Sequence, residues 1–300
     1  MHVGITGSSG FLGTALSRHL TSEGHQVVRF VRRPAGGADE RTWDGTALSP
    51  DALAGLDAHV HLSGAGVGDK RWSASYREVI RRSRVDTTAA VAAAVAGAGT
   101  PVLLAGSAIG FYGDRGDEVL DETSGHGDGF LAGVTVEWEA AAAAVPAATR
   151  LVTLRTGVVV GSVDGTRDPL LSRLVPLVRA GLGAPVGSGR QWLSWVALAD
   201  WLGAVSHLLA SEVSGPVNLT APNPVTNKEL TKELGRALHR PTMPIGVPGP
   251  LVRLVAGGLA DEALGSAKVL PCVLEKDGYA FQLPDLSGAL TAALRTAHAR

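Results

Sequence analysis

The segment Val3-Gly4-Ile5-Thr6-Gly7-Ser8-Ser9-Gly10-Phe11-Leu12-Gly13 decides the fold of this 300-residue chain. Its apolar start predicts a strand, and the glycines after it predict a tight turn. A helical pattern then runs to Glu23, and Val27–Val31 forms a second predicted strand. A strand, a glycine-rich turn, a helix and a strand form the opening unit of a dinucleotide-binding fold.

The glycine-rich turn predicts a site for a pyrophosphate group. One glycine permits the tight turn, one lets backbone N–H groups approach the phosphates, and one lets the helix pack closely on the strand. The helix also presents its partial positive charge to the phosphates. A purely structural turn is the alternative, which the position directly after the first strand disfavours. The predicted cofactor contacts here are Gly7, Ser9, Gly10, Phe11, Leu12 and Gly13.

Two arginines end the second predicted strand and indicate which dinucleotide binds. NAD-binding sites usually place a carboxylate there, which accepts hydrogen bonds from the ribose hydroxyls. This chain has Arg32 and Arg33 instead, with no carboxylate before Asp39. A guanidinium forms charge-assisted hydrogen bonds with a 2′-phosphate. The sequence therefore predicts NADP(H) as the cofactor, and a solvated basic strand end is the structural alternative.

The composition argues against several other classes of function. A hydrophobic content of 45% supports a buried core, and a formal net charge of -1 gives no electrostatic reason to bind nucleic acid or a membrane surface. The single cysteine, Cys272, excludes an internal disulfide and fits a reducing compartment. No basic and apolar leader precedes the first strand, and the histidines form no metal-binding pattern. We expect a cytoplasmic protein without a metal.

The alternation of strands and helices continues along the chain and predicts an α/β fold. Strands that are apolar throughout and separated by helices favour a parallel sheet covered on both faces. We therefore predict a Rossmann-type, doubly wound parallel sheet with a smaller C-terminal α/β lobe, and an acidic, glycine-rich loop over residues 114–129. The predicted NADP-binding domain covers residues 1–162, with further core residues at about 191–220, and the predicted lobe covers 163–190 and 221–300.

Five segments spread over nearly the whole chain carry motifs of one superfamily. They are Thr6–Gly13, Val60–Gly66, Ser107–Gly113, Leu154–Gly161 and Trp195–Asp200. With these motifs the chain resembles the extended short-chain dehydrogenase/reductases, the NAD(P)-dependent epimerase/dehydratase group. It looks most like a branch called epimerase-family proteins, which carries a C-terminal domain of unknown function. The motifs that match this branch include Arg71-Trp72, Ser83-Arg84, Trp138-Glu139 and Gly187–Gln191.

The resemblance implies roles for residues outside the first turn. Ser107, at the carboxyl end of a central strand, corresponds to the serine that binds the substrate oxygen, and Tyr112 is the best available phenol for proton transfer. A hydroxyl bonded to the backbone and a tyrosine packed over the cofactor are the alternatives. The further implied cofactor contacts are Leu62, Ser63, Gly64, Glu78, Arg84 and Val158. For Glu78 and Arg84, a solvated helix face is the alternative.

The chain lacks the catalytic pair of that superfamily. Ordinary members use Tyr-x-x-x-Lys, in which the tyrosine transfers a proton and the lysine lowers the pKa of the tyrosine and holds the nicotinamide ribose. No such pair occurs here, and alignment through Glu139 puts Leu131 and Thr135 at the two positions. Leu193 stands where sugar-nucleotide members place an arginine that contacts the diphosphate. A nucleotide-sugar substrate is therefore disfavoured.

The resemblance and these departures together predict an atypical NADP(H)-dependent oxidoreductase that acts on a small carbonyl or alcohol. Its expected partner is this small-molecule substrate, and the chain is expected to be a monomer or a homodimer. Two other functions stay open. One is a catalytically silent sensor or interaction protein that binds NADP(H), and the other is a sugar-nucleotide epimerase.

Overall fold

The computed structural model of the chain describes residues 1–296, apart from the side chains of Arg167, Val255, Ala256 and Thr296. The strands are β1 (His2–Thr6), β2 (Gln26–Val31), β3 (Glu40–Thr42), β4 (Ala58–His61), β5 (Val102–Ala108), β6 (Val119–Leu120), β7 (Arg150–Thr156), β8 (Val158–Val160), β9 (Ser162–Val163), β10 (Thr166–Arg167), β11 (Trp192–Leu193), β12 (Trp195–Ala197), β13 (Gly215–Leu219), β14 (Val225–Thr226) and β15 (Lys268–Val269). The α-helices are α1 (Phe11–Ser22), α2 (Ala74–Ala98), α3 (Phe130–Ala142), α4 (Pro169–Arg179), α5 (Leu198–Ala210), α6 (Asn227–Ala237), α7 (Gly249–Ala256), α8 (Leu259–Leu264), α9 (Cys272–Lys276) and α10 (Leu286–Thr296).

A seven-stranded sheet in the order β13-β7-β5-β4-β1-β2-β3 confirms the predicted Rossmann-type fold. Strand β1 pairs in parallel with β2 on one side and with β4 on the other. The order of strands along the chain therefore reverses between β1 and β4. In open α/β sheets, ligands bind outside the carboxyl ends of the strands at such a switch point.

The central strands are buried because both faces of the sheet are covered. All four residues of β4 are buried, and so are Val102 to Ser107 of β5. Leu103 of β5 packs in one apolar cluster with Val91 and Val95 of α2. Each of these side chains contributes about 1.5–3 kcal/mol when it is fully buried. This packing holds β5 against α2.

The chain divides into two compact units. The first comprises Met1–Ala108, Gly133–Arg155 and Val205–Val217, and the second comprises Ile109–Ala132, Thr156–Ala204 and the described residues from Asn218 onward. The predicted NADP-binding domain differs from the first unit, because residues 109–132 and 156–162 belong to the second unit. Of the predicted core segment 191–220, only Val205–Val217 belongs to the first unit. Residues 297–300 of the predicted lobe lie outside the described residues.

The second unit has an apolar core of its own. Helices α4, α6 and α10 contribute Leu171, Leu230 and Leu290 to one buried cluster with Trp195 of β12. The predicted loop over 114–129 is not entirely loop, because β6 lies within it and pairs in parallel with β15. Within residues 1–296, no helix is both long enough and apolar enough to cross a membrane.

Candidate functional site

Glycine is needed at one position of the loop between β1 and α1 and at one position in the first turn of α1. Gly7 has a φ of +75°, and a methyl group there would lie 2.6 Å from the carbonyl oxygen of Leu62. A methyl group at Gly13 would overlap the carbonyl oxygen of Gly7. The loop is therefore held tightly against the end of β4 and against the first turn of α1. Gly10 differs, because a methyl group there would meet only the carbonyl oxygen of Gly7, at 3.3 Å.

The first turn of α1 is open to an anionic ligand. Its N-cap residue is Gly10, which has no side chain to bind the first backbone N–H groups, and the turn contains no acidic residue. Those N–H groups have no partner within the helix and carry its partial positive charge. Ser9 and Gly10 are exposed, and Phe11 and Leu12 are partly exposed. This loop fits the pyrophosphate of a dinucleotide.

The two arginines after β2 differ in their partners. Arg33 donates from Nη2 to Oε1 of Glu40 across 2.6 Å and from Nη1 to Oε2 across 2.7 Å. These hydrogen bonds from Arg33, with one from the backbone N–H of Gly36, lower the pKa of Glu40 to about 2. Arg32 is exposed and has no hydrogen-bond or ion-pair partner among the described residues. Arg32 is thus available to a 2′-phosphate, whereas Arg33 already binds a carboxylate that the sequence analysis overlooked.

The loop after β4 lies beside the glycine-rich loop. The backbone of Leu62 and Ser63 is in contact with Gly7, so the carboxyl ends of β1 and β4 present their loops together. Gly64 is exposed, and Leu62 and Ser63 are partly exposed. The three predicted cofactor contacts that follow β4 therefore lie at the switch point of the sheet, next to the predicted pyrophosphate site.

The two predicted cofactor contacts on α2 lie on different faces of the helix. Arg84 is partly buried, and its Nη1 donates to the carbonyl oxygen of Ala65 across 3.0 Å. Its guanidinium carbon lies 5.3 Å from the ring centre of Trp138. Glu78 is exposed, and its Oε1 lies 3.7 Å from Nη1 of Arg81. Arg84 lies at the loop after β4, and the cofactor contacts of both residues stay predictions.

Ser107, at the end of β5, is bonded to a carboxylate. Its hydroxyl donates to Oε1 of Glu139 on α3 across 2.6 Å. Arg155 of β7 donates from Nε to the same oxygen and from Nη2 to Oε2, each across 2.8 Å. The side chains of Arg155 and Glu139 are 5% and 15% exposed. Ser107 is therefore buried against a desolvated ion pair. Its hydroxyl proton is engaged in the hydrogen bond to Glu139.

Tyr112 belongs to the second unit and is fully buried there. Its hydroxyl donates to Oδ1 of Asn218 across 2.8 Å, and Nδ2 of Asn218 donates to the carbonyl oxygen of Leu270. The backbone N–H of Asn218 in turn donates to Oε1 of Glu122. Proton transfer by Tyr112 stays a prediction, and these contacts describe a phenol that holds together neighbouring segments of the second unit.

The remaining predicted positions lie in α3 and β8. Thr135 is buried on α3, and Leu131 is partly exposed in the second unit. Val158 begins β8, and its backbone N–H donates to the carbonyl oxygen of Ser194 across 3.0 Å. Its predicted cofactor contact stays a prediction. Among the described residues, no group of three or more His, Cys, Asp or Glu side chains could hold a metal ion.

Glu139 and Glu40 are the two site residues whose contacts the sequence analysis missed. Glu139 served only as an alignment position, although Trp138-Glu139 and Leu154-Arg155 are both motifs of the resemblance. The sequence does contain a signal for this pair, because Glu139 and Arg155 both stand in apolar segments. Charged residues are rarely buried unless they are paired. Glu40 directly follows Asp39, and its pairing with Arg33 depends on β3, which was not predicted.

Two family models match this chain. Residues 3–220 match the NAD dependent epimerase/dehydratase family, and residues 247–293 match a domain of unknown function, DUF1731. The epimerase family protein Mb2239 of Mycobacterium bovis is 42% identical over 293 residues, which are 96% of each protein. The epimerase family protein SDR39U1 of Homo sapiens is 36% identical over 97% of this chain and 98% of that protein. A crystal structure of human SDR39U1 (isoform 2) with NADPH has a TM-score of 0.90 at 32% identity, and the match covers 98% of this chain and 99% of that one.

Proposed function

Because the chain belongs to the NAD-dependent epimerase/dehydratase family and has its NAD(P)-binding fold, we propose that it is an NADP(H)-dependent oxidoreductase that binds a hydroxyl group of a small substrate at Ser107. The hydrogen bond from Ser107 to Glu139 is the observation that carries this proposal. This hydrogen bond supports the choice of substrate and the route of the proton. The loops after β1, β2 and β4 support the choice of cofactor.

The choice of NADP(H) over NAD(H) is supported by Arg32. Its exposed guanidinium follows β2, where a dinucleotide fold reads the adenosine ribose. A 2′-phosphate would give Arg32 a charge-assisted partner, and a ribose hydroxyl would give it a weaker one. The related human protein was crystallised with NADPH. When bound, the nicotinamide exchanges a hydride with a substrate carbon.

The contacts of Ser107 favour a hydroxyl over a carbonyl as the group that it binds. A serine hydroxyl has one proton to donate and two lone pairs that accept. The proton is committed to Oε1 of Glu139, and that carboxylate is paired with Arg155 and can only accept. Ser107 therefore has only lone pairs to offer. It can accept a hydrogen bond from an alcohol, whereas a carbonyl oxygen would face it as a second acceptor.

The same contacts provide a route for the proton of the alcohol. As the alcohol loses hydride from its carbon, its O–H proton moves to Oγ of Ser107, and Ser107 passes its own proton to Oε1 of Glu139 across 2.6 Å. In the reverse direction, the proton returns from Glu139 through Ser107 to the carbonyl oxygen. Glu139 thus supplies the proton acceptor that Leu131 and Thr135 do not supply.

A catalytically silent NADP(H)-binding protein is the second candidate. It is favoured by one observation, which is that Ser107 and Tyr112 both donate their hydroxyl protons to other side chains of the protein. A sugar-nucleotide epimerase has less support, because Leu193 occupies the expected diphosphate position and pairs with Val225 in a short two-stranded sheet.

Steady-state turnover of the wild type tests the proposal. The enzyme is mixed with NADP⁺ and a panel of small alcohols, and with NADPH and the matching carbonyls, while the absorbance of NADPH is followed. We expect turnover with at least one alcohol. Glu139→Gln should slow it by ~10²–10⁴-fold, because the proton acceptor is lost. Ser206→Ala is the matched control, since Ser206 also donates to a glutamate, Glu23, on the surface of the same unit.

The outcomes separate the two candidates. NADPH binding without turnover of any alcohol or carbonyl would support the silent protein. Turnover that Glu139→Gln leaves unchanged would contradict the proton route through Ser107.

A further inference from the structure

A cavity of about 570 Å³ lies in the second unit, at the C-terminal ends of α4, α6 and α10. A cavity of this volume can hold a small organic molecule. Its lining consists of basic and apolar side chains, and none of them belongs to the proposed cofactor site or to the surroundings of Ser107. The proposed function therefore gives this cavity no role.

The charged side chains that line the cavity are all basic. They are Arg179, His239, Arg240 and Arg295, and no carboxylate of the described residues lines the cavity with them. Arg240 and Arg295 are exposed and form no ion pair within the described part of the chain. Arg240 donates from Nη1 to the carbonyl oxygen of its neighbour His239 across 3.2 Å. These two guanidinium groups therefore keep most of their N–H donors, and their charge, for a ligand.

Basic residues also occur at helix ends because they can bind the last carbonyl groups, but the backbone already fills that role in α6. The backbone N–H groups of His239 and Arg240 donate to the carbonyl oxygens of Arg236 and Gly235. This pair of hydrogen bonds is a Schellman motif, which satisfies the end of a helix without any side chain. The helix end itself carries only about half a negative charge. The guanidinium of Arg240 is thus not needed to cap α6.

The end of α4 has the same motif and shows what is unusual about His239. There the backbone N–H groups of Gly181 and Leu182 donate to the carbonyl oxygens of Val178 and Leu177. Gly181 has a φ of +76°, and His239, at the equivalent position of α6, has a φ of +53°. A residue with a Cβ atom is strained in this region, whereas glycine is not. Helix α6 therefore ends in a histidine where glycine would be less strained, and the histidine lines the cavity.

The apolar part of the lining is held in place by the core of the second unit. Leu294 is 7% exposed and belongs to the buried cluster of that unit, and Leu238 packs against the same cluster. Both leucines line the cavity next to the basic side chains. The cavity thus combines a fixed apolar wall with positive charge, which suits a ligand that has an anionic group and a short apolar chain.

We propose that this cavity binds a small organic phosphate. Its phosphate oxygens accept hydrogen bonds from Arg240, Arg295 and His239, and its apolar part lies on Leu238 and Leu294. A guanidinium matches the geometry of a phosphate, and the double charge of a phosphate monoester suits a cavity with several cations. This inference does not rest on the proposed function, and each can fail without the other.

Calorimetry with hexyl phosphate tests the proposal, on the full chain with NADPH present so that the glycine-rich loop is occupied. Arg240→Gln and Arg295→Gln should each weaken the binding of hexyl phosphate by about tenfold, as expected for a lost charge-assisted contact. Ethyl phosphate should bind more weakly than hexyl phosphate, because fewer CH₂ groups are removed from water. Hexanoate should also bind more weakly, because it carries a single charge. Equal or tighter binding of hexanoate would overturn the choice of a phosphate.

Two further variants separate a site from a charged surface. Arg236→Gln is the matched control on α6, because Arg236 is exposed, pairs with Glu233 and does not line the cavity. It should leave the affinity for hexyl phosphate within about twofold. His239→Gly should keep or raise the midpoint of thermal unfolding, because the strain is relieved, and should weaken the binding of hexyl phosphate.

Three results would contradict the proposal. The wild type may show no binding of hexyl phosphate, Arg240→Gln and Arg295→Gln may both bind it like the wild type, or Arg236→Gln may lose as much affinity as they do. Each of these results would overturn the assignment of the cavity. Wild-type affinity in His239→Gly would overturn the part assigned to His239.

Discussion

Ser107 and Glu139 form a 2.6 Å hydrogen bond in which the serine is the donor. The carboxylate is shared with Arg155, so that one hydroxyl and one guanidinium donate three hydrogen bonds to a largely buried glutamate. The three side chains come from β5, α3 and β7, which are brought together by the packing of helices on the sheet. In the proposed function, the group that binds the substrate at the end of β5 is therefore a hydrogen-bond acceptor, Oγ of Ser107, with the carboxylate of Glu139 next to it.

The ion pair behind Ser107 should be far more important for stability than a surface pair. Arg155→Met would leave Glu139 charged and unpaired, which should lower the free energy of unfolding by about 3–5 kcal/mol. Arg81→Met removes an exposed pair with Glu137 and should cost ~0–1 kcal/mol. Urea unfolding of both variants measures the difference, and similar losses would show that Glu139 does not depend on Arg155.

Arg32 and Arg33 should differ in their effects on cofactor affinity. Arg32→Ala should weaken NADPH by ~10–100-fold and leave NADH unchanged, because only NADPH carries the 2′-phosphate. Arg33→Ala should have the smaller effect, since Arg33 is bound to Glu40. Calorimetry with both cofactors measures this. Equal affinities of the wild type for NADPH and NADH would contradict the predicted preference.

Gly10 and Gly13 should respond differently to added side chains. Gly10→Val should still fold and should fail to bind NADPH, because its Cβ would meet only the carbonyl oxygen of Gly7, at 3.3 Å, whereas its side chain would occupy the space of the pyrophosphate. Gly13→Ala should destabilise the fold by about 1–3 kcal/mol, because its methyl group would overlap the carbonyl of Gly7. Thermal unfolding and NADPH titration check both. Normal NADPH binding by Gly10→Val would show that the loop is only a structural turn.

Tyr112→Phe separates a structural phenol from a catalytic one. The variant leaves Oδ1 of Asn218 without the hydrogen bond that it accepts from Tyr112, and we expect a loss of about 1–3 kcal/mol in the free energy of unfolding. Turnover and NADPH affinity should stay close to those of the wild type. A fall in turnover of ~10²–10⁴-fold at unchanged stability would instead identify Tyr112 as the proton donor.

Stability should fall in mild acid because of two buried histidines. Burial lowers the pKa values of His59 and His61 from 6.5 to about 3. Between these values the unfolded chain binds more protons than the folded chain, so the free energy of unfolding rises with pH through this window and levels off above about 6.5. At about pH 5 each histidine should cost roughly 2 kcal/mol relative to pH 7.

His59→Leu provides the check on this pH dependence. Nδ1 of His59 has no hydrogen-bond partner among the described residues, and leucine cannot titrate. The difference in urea stability between about pH 7 and pH 5 should shrink by roughly 2 kcal/mol. His126→Gln, at an exposed position, should leave the difference unchanged. An unaltered difference in His59→Leu would assign the acid sensitivity to other groups.

The sequence alone determined the cofactor half of the fold. The spacing of Gly7, Gly10 and Gly13 after an apolar strand predicts the turn, because backbone conformation and close approach are local requirements. The strand pattern likewise predicted the doubly wound sheet, which the strand order confirms. Arg32 follows its strand directly, and its exposed position needs no contact from a distant part of the chain.

Only the tertiary structure decided which groups surround Ser107. Ser107 and Glu139 are 32 residues apart, and Glu139 and Arg155 are 16 apart, so no local pattern shows that they meet. The loop over 114–129 contains β6 because β15, far along the chain, pairs with it. The sequence shows Arg84 only as a charge on a predicted helix. Packing buries part of its side chain and places its guanidinium next to backbone carbonyl oxygens. Hydrogen bonds and desolvation depend on which segments pack together, and that is a property of the folded chain, whereas turns and strand order follow from neighbouring residues.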